Sequence, residues 1–334
     1  MKTRRIGQFD VAEIGLGGMV LSHAYNTAPS EEQGIELLHA ALDMGVTHFD
    51  TASLYGFGRN ETLLGKAFKG LRDRIHLASK CGMGGVDGKR VIDGRPETLL
   101  KTIEESLTRL QTDHIDLYYL HRWDKSVPIE DSMGALAQMV EQGKIGAVGL
   151  SEVSSNTLRK AHAVHPVAAL QNEYSLWVRN PEIALLEACE ELDVALVAYC
   201  PLARGFLAGN LEVADGFADG DIRRGMPRFN EPHFSNNVQW LGEFKAIAAE
   251  LECTPGQLAL HWLLRKRPYI IPIPGTRSVS HLQENIAASQ LNVPQDTLDR
   301  VECLVNQNTV SGPRYPQPTQ NEIDTEQFEV ELEG

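Results

Sequence analysis

Long apolar runs, paired cysteines and positive charge are all in short supply in this 334-residue sequence. No run approaches the roughly 20 apolar residues of a bilayer-spanning helix. The charged start, MKTRRIGQFD, lacks the apolar stretch of about 7 to 15 residues that a secretory signal carries. The five cysteines, Cys81, Cys189, Cys200, Cys253 and Cys303, are scattered and form no CxxC pair. That argues for reduced thiols and against a disulfide framework or a zinc site. His162 and His165 have no third ligand in view and read as surface or packing residues, so no metal is expected. With 31 basic against 45 acidic residues the net charge is −14, which argues against nucleic acid or an anionic membrane as partner. These absences point to a cytoplasmic protein acting on a small molecule, and any anionic ligand would need a local basic pocket. Oligomeric state leaves no trace in the sequence.

What is present is an ordinary globular balance, 42% hydrophobic and 23% charged, arranged in a strict alternation. Residues 3–13 read as a hairpin with Ile6 and Val11 apolar. The short apolar runs then come at 14–19, 46–50, 75–80, 115–120, 145–151, 167–171, 194–200 and 269–275. Helical patterns follow most of them, among them one that Ser30 can cap, with Ile35, Leu38, Ala41 and Leu42 on one face. A glycine-rich loop is expected after Lys80, and a helix from Pro181 to Leu192. Eight continuously apolar strands, each with a downstream helix, predict a TIM (β/α)8 barrel of the α/β class. A doubly wound sheet is the rival, but Gly15-Leu16-Gly17-Gly18 does not have the GxGxxG spacing. No Ser- or Pro-rich linker divides the chain, so 1–334 is expected to form one domain. Residues 202–235 read as a long loop insertion over the carboxyl face, and 311–334 as a tail that either folds over the same mouth or stays loose.

Four polar residues fall at the ends of three successive strands: Asp50 and Tyr55, Lys80, and His121. In a closed parallel barrel those ends converge on one face. A phenol titrates near pH 10, so Tyr55 serves as a general acid only beside groups that tune it. Lys80 would supply positive charge, Asp50 would hold the ammonium, and His121 would orient or relay. Singly, each has an ordinary explanation: a cap, a packed aromatic, a solvated lysine, a buried histidine. Their joint occurrence on neighbouring strand ends is what points to a site.

The stretch FDTASLYGFGRNETLLGKAF, with the strand-end Lys80 and LYYLHRWD, resembles the aldo-keto reductase superfamily, whose tetrad of Asp, Tyr, Lys and His corresponds to Asp50, Tyr55, Lys80 and His121. The resemblance implies a barrel that binds NADP(H) without a Rossmann fold and interconverts carbonyls and alcohols. It implies that Ser151 and Gln171 hold the carboxamide, that Tyr199 stacks on the nicotinamide, and that Cys200, Leu202 and Arg204 belong to the pyrophosphate loop. Gly275, Thr276, Arg277, Gln283, Glu284 and Asn285 would grip the adenosine end, with Arg277 on the 2′-phosphate because a guanidinium fork suits a dianion. Glu152 departs from the Asn common in much of the superfamily. Leu54, Trp123, Trp177 and Phe206 are expected as apolar pocket walls. The rival readings are a nucleotide-binding sensor on the same fold with weak turnover and, last, a cofactor-free barrel hydrolase or isomerase.

Overall fold

Apolar runs too short for helices pair as parallel strands, and the segments between them have the caps and periodicity of helices. The computed structural model describes residues 1–22, 24–25, 28–86, 89–211 and 217–332. A hairpin of β1 (Thr3–Ile6) and β2 (Phe9–Ala12) precedes the barrel. Its staves are β3 (Leu16–Gly17), β4 (His48–Asp50), β5 (His76–Cys81), β8 (Ile115–Leu120), β9 (Ile145–Ser151), β10 (Val167–Glu173), β11 (Ala195–Tyr199) and β12 (Ile270–Pro272), hydrogen-bonded in that order and all parallel. Between β5 and β8 lies an antiparallel hairpin of β6 (Met83–Val86) and β7 (Lys89–Ile92), where a glycine-rich loop was expected; residues 87–88 of that stretch lie outside the described residues.

The barrel closes where β3 meets the end of β12. Gly15 N–H donates to the Pro272 carbonyl at 3.0 Å and Gly17 N–H to that of Pro274 at 3.4 Å. A Cβ on Gly17 would stand 2.8 Å from the Ile273 carbonyl oxygen, so only glycine lets the strands approach this closely. Inside, Leu117, Tyr119, Val197 and Ile271 pack against Ile6 and Val11 of the first hairpin, which plugs the amino end. At that end His48 and His76 are buried side by side, Nδ1 to Nδ1 2.9 Å, under the edge of Phe9.

The outer layer follows the strands: α1 (Glu31–Asp43), α2 (Arg59–Ala67), α3 (Pro96–Leu110), α4 (Ile129–Glu141), α5 (Ser155–Val164) and α6 (Leu185–Glu191). Ser30 does cap α1, in a reciprocal pairing with Gln33. The helix expected from Pro181 begins instead as a 3-10 turn, Asn180–Glu182, and becomes α-helical at Leu185. The 202–235 insertion carries short 3-10 segments at Ala203–Ala208, Ile222–Gly225 and Pro227–Phe229 and runs into α7 (His233–Glu250); its residues 212–216 lie outside the described residues. Then come α8 (Pro255–Lys266), α9 (Val279–Ala287) and α10 (Gln295–Leu304).

The tail takes the first of its two expected courses. Asn237 and Arg228 tie Ser311 and Gly312, Lys125 donates to the carbonyls of Asn321 and Ile323, and Asp324 accepts from Ser154 and Thr157 at the start of α5. The segment therefore straps the carboxyl face; residues 333–334 lie outside the described residues. Among the described residues no helix is long and apolar enough to cross a membrane.

Candidate active site

The carboxyl ends of β4, β5 and β8 bring the four strand-end residues together. Lys80, fully buried, donates from Nζ to Asp50 Oδ1 at 2.5 Å, to the Thr51 carbonyl at 2.8 Å and to the Tyr55 hydroxyl at 3.3 Å. All three ammonium hydrogens thus have acceptors, which fixes the side chain. The edge of the His121 imidazole meets the Tyr55 ring at 5.8 Å between centroids. Gln171, from the end of β10, donates to the other Asp50 oxygen at 2.8 Å, so the carboxylate is held on both sides.

The electrostatics follow from burial. Burial disfavours the Lys80 ammonium, but Asp50 and the Tyr55 hydroxyl outweigh it and hold the lysine above its ordinary value. Burial raises the Tyr55 phenol above its ordinary value; Lys80 and Arg122 oppose this and Asp50 adds to it. The phenol therefore stays protonated through neutral pH, the form a general acid needs. His121 is pushed well below its ordinary value, first by burial and then by Lys80, Arg122 and Arg90. It is a neutral imidazole. Its Nδ1 is buried without a partner among the described residues, which leaves Nε2 as the nitrogen able to meet a ligand.

A second polar layer lies beside the tetrad, and most of it was invisible in the sequence. Glu152 follows Ser151 at the end of β9 in a left-handed conformation, φ 54°, and is buried. Its carboxylate accepts from Arg314, from the Tyr199 hydroxyl at 2.7 Å, from the Glu173 N–H at 2.8 Å and from Thr325 at 2.6 Å. Glu173, at the end of β10, is gripped by Arg204, by Arg314 at 3.1 Å and by the Tyr315 hydroxyl at 2.5 Å. Burial raises both carboxyls, and the guanidinium groups outweigh it and hold them below the ordinary carboxylate range. Arg314, Tyr315 and Thr325 belong to the tail, so the strap is tied into the floor of the mouth. At the rim, Arg90 of β7 donates to Glu322 at 2.6 Å and links the β6–β7 hairpin to the same strap.

The other expected residues are placed as follows. Ser151 accepts from Arg122 at 3.1 Å. Tyr199 reaches Glu152 through its hydroxyl. Cys200, Ala203 and Arg204 all have positive φ, 49°, 48° and 54°, in the turn after β11, and the Arg204–Glu173 pair holds that turn. Leu202 packs against the core. Gly275 and Arg277 are exposed just before α9, and Arg277 lines an open cleft of about 340 Å³ with Pro29, Gln33, Glu36, Leu37 and Val279. Thr276 turns back to the Ser278 N–H at 3.1 Å, Glu284 accepts from Thr254 at 2.6 Å, Asn285 is buried and Gln283 is exposed. Leu54 is buried beside Tyr55, and Trp123 is partly buried with Nε1 on the Val127 carbonyl. Trp177 and Phe206 require a correction. They are 4% and 0% exposed and pack edge to face, 3.9 Å between ring centroids, in a cluster with Phe229, Phe234 and Trp240. That cluster fastens the insertion and α7 to the barrel; Phe206 is core, and Trp177 lines only a small enclosed space beside Glu173, Arg204 and Arg314. Among the described residues no group of His, Cys, Asp and Glu could hold a metal ion.

Residues 13–306 match the family model described as the aldo/keto reductase family. The chain is 42% identical over 321 residues, 94% of each protein, to the aldo-keto reductase yakc of Schizosaccharomyces pombe, whose name specifies NADP(+). It is 40% identical over 311 residues, 92% of this chain and 89% of the relative, to probable aldo-keto reductase 1 of Glycine max. Among solved structures it superposes on a glycerol dehydrogenase of Gluconobacter oxydans with TM-score 0.85 at 28% identity, covering 95% of this chain and 98% of that one. An aldo-keto reductase of Klebsiella pneumoniae in complex with NADPH superposes with TM-score 0.73 at 28% identity, covering 95% and 99%.

Proposed function

Because the chain belongs to the aldo/keto reductase family, we propose that it is an NADPH-dependent carbonyl reductase in which Tyr55 protonates the oxygen of an aldehyde or ketone. The observation that carries this reading is the Lys80 ammonium, held at 2.5 Å from Asp50 and 3.3 Å from the Tyr55 hydroxyl in a buried site.

The mouth suits the cofactor of the Schizosaccharomyces and Klebsiella proteins. The cleft beside Arg277 lies at the amino end of α9, where backbone N–H groups and a guanidinium favour a phosphate. His121 offers Nε2 while its Nδ1 is buried and unpartnered. NADPH, when bound, supplies the hydride. The chain supplies the rest. The neutral His121 orients the carbonyl oxygen towards the Tyr55 hydroxyl. As negative charge develops on that oxygen, Tyr55 gives up its proton, and the phenolate left behind is stabilised by the Lys80 ammonium already bonded to it. Asp50, clamped by Lys80 and Gln171, keeps the ammonium charged and in place. Burial of the whole constellation removes competing water and strengthens each of these interactions. Leu54 and Trp123 are the apolar surfaces beside the tetrad, which favours aromatic or medium-chain aldehydes.

Tyr55→Phe should still bind NADPH, read by fluorescence, and should lose about 10²- to 10⁴-fold in carbonyl reduction. Turnover close to wild type would sink the assignment. Arg277→Ala should weaken NADPH much more than NADH; equal losses would place the 2′-phosphate elsewhere. A protein that binds NADPH tightly but does not consume it with a panel of aldehydes would be the sensor instead.

A further inference from the structure

The charges around the mouth do not balance. Asp50 pairs with Lys80, Glu322 with Arg90, and the two buried carboxylates of Glu152 and Glu173 take up Arg204 and Arg314. Among the described residues these pairs leave out the guanidinium of Arg122. Arg122 follows His121 directly and, among the described residues, has no ion-pair partner within 4.0 Å; the Glu152 carboxylate that acts on it electrostatically is already bound by Arg314. Its Nη1 donates to the His121 carbonyl at 2.6 Å and to Ser151 Oγ at 3.1 Å, which fixes the plane of the fork. Its Nε and Nη2 meet no partner among the described residues, and the side chain is half-buried. The guanidinium sits where β8 and β9 end, directly after His121 and bonded to Ser151, and its charge reaches both the Tyr55 phenol and the His121 imidazole. Arg90, at the rim, acts on the same imidazole.

A pre-oriented guanidinium with an open edge is the recognition group for a carboxylate, because its parallel N–H donors match the two oxygens. The surroundings strengthen it, because the protein as a whole carries −14 and repels anions everywhere except at such a local excess of positive charge. We propose that Arg122 is a specificity-determining residue that selects carbonyl substrates carrying a carboxylate a few bonds from the reacting carbon, such as short semialdehyde acids or formylbenzoates. The Arg122 edge binds the carboxylate while Tyr55 and His121 receive the carbonyl. Ser151 and the His121 carbonyl accept from Nη1 and keep the fork aimed. This inference rests on the reductase reading.

Steady-state NADPH oxidation with matched pairs tests it: succinic semialdehyde against methyl 4-oxobutanoate, and 4-formylbenzoate against its methyl ester. The wild-type kcat/KM should favour the acid of at least one pair by about tenfold or more, the range for a hydrogen bond to a charged group, and the preference should shrink as salt is raised. Arg122→Gln should lower that acid-to-ester ratio about tenfold, mainly through KM, and Arg122→Lys should recover part of it. NADPH binding, measured directly, should change less than the ratio does. If the wild type turns over both esters but shows no preference for either acid, the inference fails, even if neither Arg122 variant folds. It fails equally if Arg122→Gln weakens NADPH and leaves the ratio as it was, which would make Arg122 a cofactor ligand. Absence of turnover with every aldehyde would sink the reductase reading itself.

Discussion

Replacing Arg314 with methionine removes the cation that the two buried carboxylates share. The Arg314 side chain is 3% exposed and contacts both Glu152 and Glu173. Without it, Glu173 keeps Arg204 and the Tyr315 hydroxyl, whereas Glu152 keeps only neutral donors, from Tyr199, Thr325 and the Glu173 backbone. Deleting one partner of a buried pair costs about 3–5 kcal/mol. An unfolding entropy of about 2.1 cal/mol/K per residue amounts to about 0.7 kcal/mol/K for this chain, so the midpoint at about pH 8 should fall by about 4–7 °C. The pH dependence gives a sharper test. In the wild type, burial raises the Glu152 carboxyl, but Arg314 outweighs it and the net shift is down from 4.5. Glu152 therefore contributes stability that is present above about pH 4.5 and lost on acidification. In the variant burial is no longer opposed by that charge, the carboxyl moves up, and the folded state takes on a proton before the unfolded state does. The deficit should be largest near pH 8 and should narrow towards about pH 5.5. Urea and thermal unfolding at both pH values, with the Glu152→Gln and Arg314→Met double variant closing the cycle, measure this directly. A deficit below about 1 kcal/mol, or one equal at both pH values, would refute the account of the buried pair.

Other consequences can be measured separately. Carbonyl reduction should show no loss on the basic side until about pH 10 or above, because burial raises the phenol of Tyr55 and the proposed mechanism needs it protonated; a basic limb near pH 8 would contradict this. Lys80→Met should bind NADPH yet lose at least about 10²-fold in turnover, since the ammonium at 3.3 Å no longer stabilises the phenolate. The His48–His76 pair should make the protein acid-sensitive. Burial lowers His48 to about 4 and His76 well below its ordinary 6.5, so stability is full above about pH 6.5 and is lost as the pH falls towards 4. His48→Gln should reduce the slope in that window by about 1.4 kcal/mol per pH unit, and an unchanged slope would clear the pair of responsibility. Gly17→Ala should cost about 1–3 kcal/mol by pressing a Cβ against the Ile273 carbonyl at the barrel seam, read as a lower urea midpoint.

The eight staves were legible because buried parallel strands are continuously apolar, and the expected ranges for β8 and β9 agree with the structure residue for residue. Pro96 to Leu110 is one helix, with Leu99, Ile103, Ser106 and Leu110 buried along one face. The helices that the alternation does not predict, α7 and α8, are ones that do not directly follow a stave. In α7, Phe234, Trp240, Leu241, Phe244 and Ile247 form an apolar face, but it begins inside a polar insertion and has no side-chain cap. In α8 the signal is local: Thr254 and Gln257 form a capping box, with Pro255 at the first helical turn. The tetrad could be read because Asp50, Lys80 and His121 stand at the ends of staves and Tyr55 lies in the turn after one of them. Glu173 also closes one and could have been noticed. Arg314 and Tyr315 could not, since their role comes from the path of a proline-containing tail across the mouth, which has no period. Trp177 and Phe206 misled because an aromatic ring near a strand end reads alike whether it faces a ligand or a helix; here α7 supplies the partner.

The strap also sets a schedule. The last of the four strand-end residues, His121, precedes Arg314 by about 190 positions, which at about 5–20 residues per second of synthesis means that His121 is made roughly 10–40 s earlier. Throughout that interval Glu152 and Glu173 have no Arg314 to close on. A nascent chain can assemble its staves in order, but the floor under Tyr199 is finished only when residues 314–325 are translated and laid across it. The contacts of Arg314 and Tyr315 with Glu152 and Glu173 therefore form last, after every stave of the barrel has been synthesised.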